Sequence, residues 1–330
     1  MSDMAVAGGR ATWRGRLGAG SGAAGASLDA RRALQLALAG TWLLDAVLQY
    51  QPFMFTSGFA KMLAGTADGN PSVIARPITW DATLVGHHLV ALNTAFATIQ
   101  LLLGLGIAFR PTVRPALAAS VAWSLGVWWF GEGLGGVLNG TAGPVNGAPG
   151  AVILYALLAV LLWPADGETP APFTAARAVG PRVARALWLV LWLSLAWFEL
   201  APVNRAPQAL SGMITGMESG QPGWLAALDR GAASLVAGQG LSASITLAVA
   251  LVVIAVGIYL PSAAARASLL LAIVVALVIW VFGEGFGMIP AGGATDPNSG
   301  PLLVMLALAY WPARAVAVPA TAADQEAEAA

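Results

Sequence analysis

Four carboxylates and two histidines stand where the surrounding residues are too apolar to leave them in water: Asp45, Glu132, Glu199 and Glu284, with His87 and His88 side by side. Burial disfavours a charged carboxylate, so such a group holds a proton, neutralises a cation or is bonded between helices. Glu132 and Glu284 belong to one motif written twice. Trp128-Trp129-Phe130-Gly131-Glu132-Gly133-Leu134-Gly135 recurs as Trp280-Val281-Phe282-Gly283-Glu284-Gly285-Phe286-Gly287, 152 residues later. A carboxylate at the C-terminal end of a helix meets the negative end of its dipole, at a cost of up to about 1 kcal/mol if the helix runs on unbroken. The flanking glycines let the backbone unwind and free its donors, or let another backbone come close. Two readings follow: close packing through the Gly131–Gly135 and Gly283–Gly287 spacings with each glutamate capping a loop, or a pair of glutamates lining a site open at the outer face.

Thr41, Asp45 and Gln49 fall at i, i+4 and i+8, one polar stripe on an otherwise apolar helix. Glu199, two residues after Trp197 where Asp45 lies three after Trp42, is its approximate counterpart. If the four carboxylates converge they form two pseudo-equivalent acidic sites; as polar glue between helices they do structural work alone. His87 and His88 point about 100° apart on a helix and do not share one metal ion. Proton transfer, a hydrogen bond to a quinone, or a polar helix start at an interface accounts for them. No metal centre is expected. No G-x-S-x-G, Walker loop or HExxH occurs, and the glycine-rich segments lack the lysine of a phosphate cradle, so no catalytic residue is assigned.

What must position these groups is a membrane. Apolar residues make up 58% of the chain and charged ones 10%, too little polar surface to cover a soluble globule. Zero net charge and no cysteine exclude a nucleic-acid partner, disulfides and thiolate metal sites. Apolar runs near span length predict eight transmembrane helices, about 33–50, 89–109, 116–130, 151–163, 184–201, 243–260, 267–282 and 301–311. Residues 54–64 read as an interfacial segment, and 70–81 as polar turns.

The spans repeat as a unit of four. At the offset of 152, Asn146 meets Asn298 and Pro149 meets Pro301, while Trp163-Pro164 and Trp311-Pro312 close both units. Four spans is an even number, so the two tandem repeats are parallel and share an axis along the membrane normal. All basic residues but Lys61, Arg76, Arg205 and Arg230 fall in the termini and the even-numbered loops, which predicts cytoplasmic N and C termini. The expected organisation is a disordered arm over 1–30, a first repeat over 31–166, a linker over 167–183, a second repeat over 184–314 and a disordered acidic tail over 315–330. Arginine in place of lysine everywhere but Lys61, with abundant Ala and Gly, points to a bacterial, multi-pass plasma-membrane protein.

The four-span layout, the polar loop after the first span, the run Gln100-Leu-Leu-Leu-Gly104-Leu-Gly106-Ile-Ala-Phe-Arg110 and the glycine-rich loop before the last span resemble the DoxX/DoxD-like membrane proteins. That resemblance implies a membrane component of a quinone-linked redox system, with a quinone as cofactor and other membrane redox subunits as partners. The family's usual glutamate region in the second span carries Gln100 here. The residues themselves leave open a transporter or ion pathway using paired carboxylates, and a scaffold or assembly factor without chemistry.

Overall fold

The computed structural model describes residues 29–164 and 171–313. The expected acidic tail, and the arm apart from Asp29 and Ala30, lie outside the described residues. Among those described, every element is helical and no β-strand forms; one isolated backbone bridge joins Phe173 to Pro312. Three helices are long and apolar enough to cross a membrane: Leu89–Ala108, Gly240–Gly257 and Ser262–Gly283.

In the first half, α1 (Ala30–Leu48) buries Leu34, Leu38, Trp42 and Ala46, one residue per turn, and packs on α4 (Leu89–Ala108). Gly104 makes this contact possible, since a Cβ there would stand 2.7 Å from the Leu43 side chain. Between them α2 (Ser57–Gly65) and α3 (Ser72–His87) form a hairpin whose Phe59, Leu63, Ala82 and Val85 share a small core. Residues 70–81 are therefore mostly helix rather than polar turns: Ile74, Ile78, Ala82 and Val85 bury one face at helical spacing, which outweighs the bond lost at Pro77. Next come α5 (Val113–Phe130), a glycine-rich loop and α6 (Ala151–Leu161).

A short turn, α7 (Ala176–Val179), leads into the second half and the same order of elements: α8 (Pro181–Glu199), α9 (Ala209–Gly216), α10 (Gly223–Val236), α11 (Gly240–Gly257), α12 (Ser262–Val278) and α13 (Ser299–Ala309). Helix α8 packs on α11 as α1 does on α4, and the halves meet where α13 lies against α1 and α6. The largest core residues, Trp42, Tyr155, Trp188 and Trp192, lie along these contacts.

Backbone carbonyls left over at helix ends find side-chain donors, which fixes the two ends of the bundle. At one end Arg32 reaches the Ile107 carbonyl at 3.0 Å, and Gln35 donates to the Leu162 carbonyl at 2.8 Å. Arg177 pairs with Asp29 at 3.1 Å there, and the Ala175 amide donates to the Ala309 carbonyl at 2.9 Å. At the opposite end Asn93 donates to the Gln49 carbonyl at 2.7 Å and Ser244 to the Asn204 carbonyl at 3.0 Å. Both glycine-rich loops lie at this second end. Helices α6 and α13 have 11 residues each, about 16 Å of helix against a hydrocarbon core of roughly 30 Å.

Candidate functional site

The repeated motif builds a clasp, and each of its residue types has a part. The amides of Glu132 and Glu284 bond carbonyls five residues back, Val127 and Ile279, both at 3.0 Å, so α5 and the extension of α12 end in a widened turn. The backbone then turns left-handed: Gly133, Leu134, Gly135 and Gly136 all have φ between 55° and 72°, and Gly285 to Met288 between 51° and 66°. A left-handed conformation costs roughly 1–2 kcal/mol per non-glycine residue, which explains the glycines on both sides of Leu134 and before and after Phe286. The indole of Trp128 donates to the Pro149 carbonyl at 2.7 Å, and that of Trp280 to the Pro297 carbonyl at 2.8 Å. A Cβ on Gly135 would lie 2.1 Å from the Pro149 oxygen, so here glycine permits the close approach. The Gly131–Gly135 and Gly283–Gly287 spacings thus serve a strained turn rather than a helix–helix face.

Glutamate completes the clasp. Glu132 Oε1 accepts from the Val152 amide at 3.1 Å, at the start of α6. Glu284 accepts from the amides of Ser299 at 3.3 Å and Gly300 at 3.1 Å, and from the Ser299 hydroxyl, at the start of α13. The unfavourable helix end expected for these carboxylates is offset by the positive end of the next helix. The correspondence between halves runs at 152 through the motif and at 148 from Pro149 and Pro297 onward, because the first loop is four residues longer. Pro149 therefore pairs with Pro297, not Pro301, and Gly150 with Asn298.

The halves also exchange loops. Gln51 donates to the Ala294 carbonyl of the second loop at 3.2 Å, and Asn204 to the Ala142 carbonyl of the first at 2.9 Å. Val145 of the longer first loop covers Gly283, its carbonyl oxygen 2.4 Å from where a Cβ would stand. At the matching Gly131 the three nearest atoms all belong to Val127 of the same helix, and a cavity of about 260 Å³ opens beside it.

Asp45 and Glu132 both line this cavity, joined by Asp296 from the second loop, with Asp81 also in its wall. Trp42, Phe96, Trp123 and Phe130 supply aromatic surface. Asp45 is 1% exposed, Gln49 4% and Gln100 7%, yet Asp45 Oδ1, Gln49 Oε1 and Gln100 Oε1 have no hydrogen-bond partner, and neither has Glu132 Oε2. Trp123 Nε1 is a donor in the same condition. Tyr155, its ring tilted at 48° to that of Trp42 with centroids 4.4 Å apart, faces the Asp45 carboxyl. Asp296 is held by the Asn298 amide at 2.7 Å and the Thr295 hydroxyl at 2.8 Å; burial pushes its carboxyl above the ordinary aspartate range, against the pull of these donors. A second cavity of about 470 Å³, lined by glycines and Asn139, Thr141 and Asn146, shares Met62, Gly131, Glu132, Thr295 and Asp296 with the first.

The other candidates lie off this cavity. Glu284 is 2% exposed and sealed by its three donors. Glu199 is buried beside Ser244, in the second half. His87 and His88 are exposed at the break between α3 and α4. Among the described residues no group of three or more His, Cys, Asp or Glu side chains is arranged to hold a metal ion. Sequence reasoning missed Asp296, whose counterpart by geometry is Ala148; the only signal was a lone acid in a Gly-Gly-Ala-Thr-Asp-Pro loop. Comparison of the chain with protein-family models, with curated proteins and with solved structures finds no match.

Proposed function

We propose that the chain is an eight-span membrane protein of the plasma membrane, two tandem parallel four-helix units with cytoplasmic termini, whose first unit takes a small hydrogen-bond-donating solute from the outer face and passes it on. The duplicated clasp and the shared order of helices support the repeat. The grouping of Asp29, Arg177, Ala309 and Pro172 at one end of the bundle, with the arginines, supports the common side for both termini. Helices α6 and α13 count as spans because each is continued by irregular backbone: the Arg114 side chain meets the Pro164 carbonyl at 3.4 Å while Glu132 holds Val152 at the other end, so α5 and α6 are matched over their length. Non-helical backbone is tolerated at membrane depth where protein covers it or it lines a cavity.

One observation carries the solute pathway: three buried oxygens without donors, on Gln49, Gln100 and Glu132, stand with the Asp45 carboxyl around a single aromatic cavity that adjoins a polar one. Unpaired buried acceptors are costly, and an occupant that donates hydrogen bonds relieves the cost. Reconstitution into proteoliposomes tests this. Solute-driven flux is expected for the intact chain and is expected to vanish in Asp45→Asn while persisting in Glu284→Gln; equal flux in Asp45→Asn sinks the reading.

The quinone-linked reading is the second, favoured by the aromatic walls and by the free Trp123 indole, which suits a quinone carbonyl. It predicts a quinone among the small molecules retained after gentle purification, identified by mass spectrometry, together with co-purifying redox subunits. A chain that retains nothing and supports no flux is left as a scaffold.

A further inference from the structure

We infer that the solute of the first-half cavity is a primary or secondary organic ammonium ion with an apolar body, an inference that rests on the solute-pathway reading and names its substrate class. The cavity wall carries Asp45, Glu132, Asp296 and Asp81 and no Lys, Arg or His. Like-charged carboxyls in one desolvated space cannot all be ionised without a counter-charge. A cation supplies it.

The hydrogen-bond inventory narrows the cation. Asp45 Oδ1 and Glu132 Oε2 are acceptors that no reorientation turns into donors, unlike the amides of Gln49 and Gln100. When ionised they only accept, and N–H groups on the occupant satisfy them, which a quaternary ammonium lacks. The walls narrow it further. Trp42, Phe96, Trp123 and Phe130 present aromatic surface, and Phe96 and Trp123 stand 5.7 Å apart, tilted at 56°. Aromatic faces attract an organic cation and solvate its carbon skeleton at once. A space of about 260 Å³ is many times the roughly 10–15 Å³ that admits one water, too roomy for a bare ion. Among the described residues no carboxylate cluster has metal-ligating geometry. The adjoining polar cavity shares Glu132 and Asp296 with this one, so an ammonium head meets carboxylate at both stages of entry.

The test is calorimetric titration of the full-length protein in detergent with phenethylammonium chloride, its neutral isostere 2-phenylethanol, and tetramethylammonium chloride. The primary amine is expected to bind saturably and at least about tenfold more tightly than either of the others, since each lacks the charge or the N–H donors. Asp45→Asn is expected to weaken amine binding by more than about tenfold. Gly126 lines the cavity and a Cβ on it would meet nothing within 4 Å, so Gly126→Leu is expected to fill the space, abolish binding and leave the melting temperature unchanged or higher. If Asp45→Asn does not fold, the amine and alcohol on the unmodified chain still decide. The inference is overturned if the alcohol or the quaternary ion binds as well as the amine, if Gly126→Leu binds unchanged, or if no amine binds. Amine binding without flux across proteoliposomes keeps this inference and sinks the carrier reading. Flux of another solute by a chain that ignores the amine does the reverse.

Discussion

Glu132 and Glu284 occupy the same place in two copies of one clasp, and they differ in how completely they are used. Glu284 meets the Ser299 hydroxyl and two amides, so both oxygens are occupied. Glu132 meets backbone amides at the start of α6 but no hydroxyl, because Ala151 stands where Ser299 does, and its Oε2 lies at a cavity. The neighbouring loops differ in the same sense. Val145, from the longer first loop, sits over Gly283, while the shorter second loop reaches the first half with Thr295 and Asp296 and leaves room beside Gly131. The difference teaches that one backbone device holds two helix ends alike, and that four residues of loop length and one hydroxyl decide whether its carboxylate is a cap or a cap with a spare oxygen.

The sharpest way to break that contrast is to close the clasp with a methyl group. Gly135→Ala puts a carbon 2.1 Å from the Pro149 oxygen, whereas Gly287→Ala puts one 2.8 Å from Pro297. The first is expected to cost about 4 kcal/mol and the second about 2 kcal/mol, since both add the left-handed cost to the clash, read as apparent melting temperatures in one detergent. Equal losses refute the claim that the first clasp is the tighter. Removing the acids comes next. Glu284→Ala orphans three buried donors and is expected to cost about 2–4 kcal/mol, Glu132→Ala about 1–2 kcal/mol; a larger loss at Glu132 would reverse the assignment of the two roles.

Asp45→Asn sharpens the contrast by its sign. It removes a buried ionisable group that lacks a basic partner, so stability is expected to hold or rise by up to about 1 kcal/mol while flux is lost. A fall in stability together with unaltered flux would make Asp45 structural. Smallest are His87→Ala and His88→Ala, which also touch only the first half. Both side chains are exposed, and changes within about 0.5 kcal/mol with flux intact are expected. A lost flux there would shift attention from the cavity to the break between α3 and α4.

Long apolar runs were legible from the residues alone: the expected span 89–109 is helix Leu89–Ala108, and 243–260 is Gly240–Gly257 with a short turn after it. Period and composition suffice where nothing competes with the helix. They fail where a local signal is overridden, as at Pro77, whose missing bond is outweighed by the buried face of α3. Asp45 could be found because a carboxylate inside an apolar stretch needs a reason, and its stripe with Gln49 does reach the cavity. Asp296 could not, since its place depends on the second loop crossing to the first half, a long-range fact with no periodic trace. A single offset of 152 also hid the four-residue difference that pairs it with Ala148. The left-handed turn is written in the glycines only as permission, because glycine allows a positive φ without demanding it.

The crossed loops have a mechanical consequence. Gln51 grips Ala294 and Asn204 grips Ala142, so each half holds a loop of the other. Any rotation of one half against the other must break these crossed bonds or carry the loops along, and the position of Asp296 beside Asp45 and Glu132 depends on which of the two happens.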